Sequence, residues 1–198
     1  GYSGQIRDIN DPWVLNLASK YYELDGTVDS LLKKVAPIPV DMILAQSIEE
    51  SGWGTSRFAL KGRALFGQRV FNEEAHGFIP YDREEGLEFK VQGFDSLRHS
   101  IETYALNLNR HRAYDEMRDR RGQLIADYKP VSGLDLMPHL QAYSTERGKY
   151  IRNILKLIKV NKLRDFNDAE LETHRELTIR YDQSSRSMIE QFAQLDNQ

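Results

Sequence analysis

The segment from Pro39 to Gly54 constrains this chain more than any other. Pro39 is placed to open a helix, because its missing N–H and fixed φ suit a first helical turn. Gly52 is placed to end it, because glycine takes the left-handed conformation past a helix C-terminus at little cost. Between them, Val40, Ile43, Leu44, Ser47, Ile48 and Ser51 recur at helical spacing. The spacing predicts a helix from Pro39 to Ser51 with one face of apolar and small residues.

The flanking segments extend this pattern. Asp11-Pro12 reads as a cap and first turn of a helix reaching about Leu24, which Asp25-Gly26 ends. Thr27 is placed to cap a second helix through Lys34, and a short helix is expected from Ser56 to Lys61. Between Phe66 and Phe94, glycines and Pro80 punctuate the short runs 68–71, 77–81 and 87–91, the texture of an irregular β-hairpin lobe. Helical periodicity then returns. Asp95 caps a helix from Ser96 to about Leu108, another covers Ala113 to Arg120, Ser132 caps one through Tyr143, and a last runs from Arg147 to Val160. The expected fold class is mostly helical α+β. Residues 1–163 form the domain, with a β lobe at about 66–94, and 164–198 form a helical extension.

Composition excludes several functions. The 198 residues carry 27 Lys and Arg against 30 Asp and Glu, a net charge of −3. A nucleic-acid binder draws its affinity from a basic excess that is absent here. The basic cluster Arg110, Arg112, Arg118, Arg120 and Arg121 is interleaved with Asp115, Glu116 and Asp119 and reads as a solvated helix face. Without cysteine, thiol catalysis, disulfides and thiolate metal sites are all unavailable. The five histidines show no ligand spacing, so no metal and no cofactor is expected. No run approaches the ~18 apolar residues of a membrane span. The chain opens Gly1-Tyr2-Ser3-Gly4, without Met or a signal-peptide pattern, and is read as trimmed.

The chemistry concentrates at the end of the third helix. At about 100° per residue, Glu49 falls nearly opposite the apolar stripe, whereas Glu50 falls at its edge, one turn after Gln46. A carboxyl half-buried against apolar groups keeps its proton to higher pH, and the negative end of the helix dipole acts in the same sense. That is the state a glycosidase general acid requires. The plain alternative is an ordinary surface carboxylate. In Gly52-Trp53-Gly54 the glycines let the backbone turn sharply, and the indole offers a flat face for a sugar ring; its alternative is a core aromatic.

The stretch Ala45-Gln46-Ser47-Ile48-Glu49-Glu50-Ser51-Gly52-Trp53-Gly54-Thr55-Ser56-Arg57-Phe58-Ala59 resembles the peptidoglycan N-acetylglucosaminidases of glycoside hydrolase family 73. Ala64-Leu65-Phe66-Gly67, Phe94-Asp95-Ser96 with Tyr104, Leu108 and Tyr114, and Gln141-Ala142-Tyr143-Ser144-Thr145 with Tyr150 follow in the family's order. Gly54 to Ala59 and Arg147-Gly148 are most similar to the Bax branch, and the resemblance covers about residues 12–163. It implies a lysozyme-like fold and an endo-acting glucosaminidase with Glu50 as catalytic acid. Tyr143 is implied beside the cleaved bond, and Gln46, Trp53, Phe66 and Tyr104 as sugar-binding residues. The second carboxylate is sought among Asp82, Glu84, Glu85 and Glu88, with Glu85 at the hairpin tip preferred; without one, the substrate's acetamido group acts as nucleophile. The implied partner is the peptidoglycan glycan strand, and the implied place is the bacterial cell envelope, periplasmic or secreted. Two other readings stay open: a muramidase or lytic transglycosylase on the same fold, and a non-catalytic glycan-binding or scaffolding module.

Overall fold

Helix α3, Val40–Ser51, runs through the main hydrophobic core. The computed structural model describes residues 12–21, 28–72, 74–80 and 88–169. Helices α1, Pro12–Lys20, and α2, Val28–Lys34, precede α3, and α4, Arg57–Gly62, follows it. A β lobe comes next, then α5, Leu97–Arg110, α6, Asp115–Ala126, α7, Gly133–Leu136, and α8, Gly148–Val160. The fold is mostly helical α+β.

The two ends of α3 lie where Pro39 and Gly52 predict, with Gly52 in the left-handed region at φ 57°. Its buried face differs from expectation. Met42, Ala45 and Gln46 are fully buried, whereas Ile43, Leu44 and Ile48 are only partly covered and Val40 is exposed. The physical reason is that α3 is packed on more than one side. Its most enclosed face meets α8 and α7, and Ile43, Leu44 and Ile48 line a second, looser contact with the same core.

Helix α8 has the most sharply divided surface of the helices. Tyr150, Ile151, Ile154 and Ile158 make its buried stripe, while Arg152, Lys156 and Lys159 lie on the other side. Side chains like Met42, Leu136, Ile154 and Ile158, all 0% exposed, each stabilise the fold by roughly 1.5–3 kcal/mol on burial. Close approach here needs Gly133, where an added Cβ would stand 2.9 Å from both Met42 Cβ and Ile158 Cδ1. The Gly133 N–H donates to both carboxylate oxygens of the fully buried Asp41, at 2.8 and 3.0 Å, tying α7 to the first turn of α3.

Three expected elements are redrawn. The cap of α5 is Ser96, whose hydroxyl accepts from the His99 N–H at 3.1 Å, rather than Asp95. The helix expected from Ser132 to Tyr143 is the single turn of α7 followed by a 3-10 turn, Met137–His139, because Pro138 cannot continue an α-helical ladder. Helix α6 runs on to Ala126, beyond Arg120.

The arginine cluster on α6 is likewise not a wholly solvated face. Arg118 and Arg121 are 3% and 1% exposed. Arg118 donates to the carbonyls of Leu108 and His111 and pairs with Asp115. Arg121 donates to the carbonyls of Lys33 and Pro37 and to Asn109 Oδ1. Burial, aided by Arg118, lowers the Arg121 pKa to about 10. Both guanidiniums satisfy carbonyls where helices meet, a structural use of charge that interleaving alone cannot reveal.

In the β lobe, β1, Arg69–Val70, and β2, Gly77–Phe78, flank β3, Lys90–Gln92, in an antiparallel sheet of order β1-β3-β2. Ala64, Val91 and Phe94 form a small core beneath it with Phe58 against them. Leu163, in a 3-10 turn over Leu163–Phe166, joins the main core, and Asn167 Oδ1 accepts from the Asp41 N–H at 2.8 Å. The first compact unit of the chain ends at Asp168. The second is 169–198, of which 170–198 lie outside the described residues. Among the described residues no helix is long and apolar enough to cross a membrane.

Candidate active site

Glu50 sits in the last turn of α3, and the chain after it is bent by three successive left-handed residues. Gly52, Trp53 and Gly54 have φ of 57°, 60° and 75°. Glycine adopts this region freely, but for Trp53 it is strained. Ser51 pins the bend. Its buried hydroxyl donates to the Ser47 carbonyl at 2.5 Å and accepts from the Gly54 N–H at 2.8 Å. Ser56 then caps α4, accepting from the Ala59 N–H at 3.2 Å. The turn leaves Trp53 63% exposed three residues after Glu50, so it is not a core aromatic.

Beneath Glu50 lies an aromatic cluster drawn from distant parts of the chain. Phe66 stacks on Tyr104 with ring centroids 3.9 Å apart. Tyr143 stacks on Tyr150 at 5.5 Å and meets Tyr104 edge-on at 6.4 Å. Tyr114 approaches Tyr143 at 6.2 Å. Fully buried Gln46 runs through the cluster: its Oε1 accepts from the Tyr104 hydroxyl at 2.5 Å, and its Nε2 donates to the Tyr150 hydroxyl at 2.9 Å.

Glu50 is an exposed residue taken whole, but protein crowds its carboxyl end. Burial is the main cause that raises its pKa above the ordinary glutamate value; the Glu49 charge adds to this, and a hydrogen bond with the Tyr150 hydroxyl opposes it. The tyrosines feel Glu50 in return. Burial pushes the phenols of Tyr104, Tyr143 and Tyr150 upward, and the nearby carboxylate pushes them further. Glu49 points away, exposed, and accepts from Asn153 Nδ2 at 3.2 Å.

The site residues expected from sequence therefore separate. Glu50, Tyr143 and Gln46 are brought together. Trp53 is exposed at the end of α3. Gln46, Phe66 and Tyr104, at 0%, 4% and 1% exposure, cannot offer a face to a sugar and instead form the floor of the site. Glu85 falls at 81–87, outside the described residues, together with Asp82 and Glu84, while Glu88 is exposed. Tyr150 joins the candidate site through Gln46 and Tyr143, a placement that sequence reasoning undervalued. Its sequence signals are its place after the Gln141–Thr145 block and at the head of the stripe of Ile151, Ile154 and Ile158. A cavity of about 730 Å³ opens elsewhere, at the start of α3 between Pro39, Arg121, Ser132 and Lys162, and Glu50 does not line it. The protonatable carboxyl, not that concavity, marks the candidate site.

This mostly helical α+β protein places a glutamate with a raised pKa over a buried tyrosine cluster, three residues before an exposed indole. The family model described as mannosyl-glycoprotein endo-beta-N-acetylglucosaminidase, the glucosaminidase family, matches residues 28–193. The chain belongs to this glucosaminidase family. It is similar to Protein bax of Escherichia coli strain K12, with 34% identity over 130 residues, 64% of this chain and 44% of that protein. The chain thus spans less than half the length of this curated relative. No solved structure matches it.

Proposed function

We propose that this protein is an endo-β-N-acetylglucosaminidase that hydrolyses β-1,4 bonds of bacterial peptidoglycan, on a lysozyme-like scaffold, with Glu50 as general acid. The observation that carries this reading is the Glu50 carboxyl, whose pKa is raised by burial at the end of α3 beside an exposed Trp53. A protonated carboxyl there delivers its proton to the glycosidic oxygen as the bond to the sugar breaks, which relieves the charge on the leaving group. Trp53 stacks on a sugar ring next to the cleaved bond. Tyr143, half-buried against Tyr150, holds the N-acetyl group or the reacting water. The charge developing on the sugar is met by Glu85 from the hairpin or, without it, by the substrate's own acetamido oxygen. Glycan strands are the partner and the cell envelope is the place of action, consistent with family membership.

Mass spectrometry of purified sacculi after digestion tests the bond specificity. New reducing ends bearing N-acetylglucosamine are expected. Muramic reducing ends would assign the chain as a muramidase, and anhydro-muramic ends as a lytic transglycosylase. Binding to sacculi without soluble products would indicate a glycan-binding module.

A further inference from the structure

The hydrogen bonds of Gln46 have a direction, from Tyr104 to Gln46 to Tyr150. Gln46 offers one acceptor oxygen and one donor nitrogen. Its oxygen is taken by the Tyr104 hydroxyl, which donates at 2.5 Å. Its nitrogen donates to the Tyr150 oxygen at 2.9 Å. Having received that N–H, Tyr150 keeps its own proton for another acceptor. Glu50 lies one helical turn beyond Gln46 on α3, and its carboxyl and the Tyr150 hydroxyl act on each other electrostatically.

We infer that Tyr150, oriented by Gln46, is a positioning residue for Glu50: its hydroxyl donates to one carboxyl oxygen, leaving the other oxygen to carry the transferable proton outward. This rests on the reading of Glu50 as the general acid. A glutamate side chain has several rotors and, in an exposed residue, would otherwise sample many orientations. The Tyr150 contact selects one. It also grows stronger as Glu50 gives up its proton, because a hydrogen bond to a carboxylate is stronger than one to the neutral acid. The contact therefore favours the state formed during proton transfer over the resting acid. Nothing in it requires Tyr150 to ionise, in keeping with its raised pKa.

Among the described residues, the ionisable groups that interact with Glu50 are Glu49 on its own helix, Tyr150 on α8, Tyr104 on α5, and Tyr143 between α7 and α8. Glu49 and burial raise its pKa, and of these groups Tyr150 is the one that lowers it. Removing the Tyr150 hydroxyl should therefore raise the Glu50 pKa further.

The test is Tyr150→Phe in the full chain, read in two ways. Carboxyl-labelled glutamate followed by NMR, with the Glu50 signal assigned by its loss in Glu50→Gln, reports the titration directly. Lysis of sacculi across pH separates kcat from KM. We expect the Glu50 midpoint and the alkaline limb of kcat to move to higher pH together. We also expect kcat at the optimum to fall roughly tenfold or more, with KM within about twofold. If Tyr150→Phe does not melt cooperatively, Gln46→Met frees the Tyr150 hydroxyl without removing it, and a weaker shift in the same direction is expected. A Glu50 midpoint that stays fixed or moves down in a folded variant overturns the inference. A wild-type lysis rate in Glu50→Gln removes the acid assignment beneath it, and the inference with it. Loss of lysis in Glu50→Gln beside an unmoved titration overturns the inference alone.

Discussion

Gln46 and Glu50 stand one turn apart on α3, the first fully buried and the second exposed except at its carboxyl end. The step from core to solvent over one helical turn brings the Glu50 carboxyl against the tyrosine cluster from the rim. Burial disfavours its charged form, while the residue as a whole stays open to solvent.

A stability signature follows from the raised pKa. In the unfolded chain Glu50 ionises at the ordinary glutamate pH, whereas in the native chain it holds its proton to a higher pH. Between those two values the native state binds more protons than the unfolded state, so stability falls as pH rises through the window. Glu50→Gln removes this loss. We expect its thermal midpoint to match wild type at about pH 4 and to equal or exceed it at about pH 7. Calorimetry across that range checks it; a midpoint lower than wild type at neutral pH would show that the carboxylate is favourably partnered.

The proposed acid role ties rate to the same titration. A general acid works only while protonated, so kcat/KM should decline on the alkaline side with a midpoint above the ordinary glutamate value. A pH–rate profile on sacculi measures it. A rate that climbs through that region would mean Glu50 acts as the carboxylate instead.

Trp53 offers a different kind of test. Its left-handed backbone costs roughly 1–2 kcal/mol relative to glycine, and its indole buries little. Trp53→Gly should keep or gain up to about 1 kcal/mol of stability. It should also weaken sacculus binding roughly tenfold, as expected when one stacking contact is lost. Chemical denaturation and a sedimentation assay read the two effects separately, and unchanged binding would remove Trp53 from the sugar groove.

Gly133 probes the scaffold. With Met42 and Ile158 both 2.9 Å from an added Cβ, Gly133→Ala should force α7 away from α3 and α8. The expected cost is about 1–3 kcal/mol by denaturant melts. A neutral effect would show that this junction can give.

The hairpin carboxylates can be separated by paired variants. Glu85→Gln should lower kcat roughly 100-fold if Glu85 meets the charge on the sugar, whereas exposed Glu88 should tolerate the same change. If both variants keep full rate on sacculi, the acetamido group takes that role.

The ends of α3 were legible because Pro39 and Gly52 act locally, through their own backbone preferences. Its buried face was not, because a stripe rule assumes one covered side and α3 is covered on several. The β lobe was visible in glycine punctuation, and its strands at 69–70, 77–78 and 90–92 fall within or beside the expected runs. Gln46 was placed in the site but given the wrong work. A polar residue reads as surface or ligand-facing until its partners are known, and Tyr104 and Tyr150 lie 58 and 104 residues away in sequence. Arg118 and Arg121 misled for the same reason, since the carbonyls they satisfy belong to other segments. Local signals carried the elements and the position of Glu50, while the cluster beneath Glu50 is made of long-range pairings.

The most direct measurement is the rate at which purified sacculi lose turbidity with wild type and with Glu50→Gln, each shown to be folded by its melting transition. General acid catalysis contributes roughly 10²–10⁴-fold, so we expect the glutamine variant to lose at least about 100-fold in rate while sedimenting with sacculi as wild type does. Lysis at the wild-type rate by the folded variant would contradict the assignment of Glu50 as the acid.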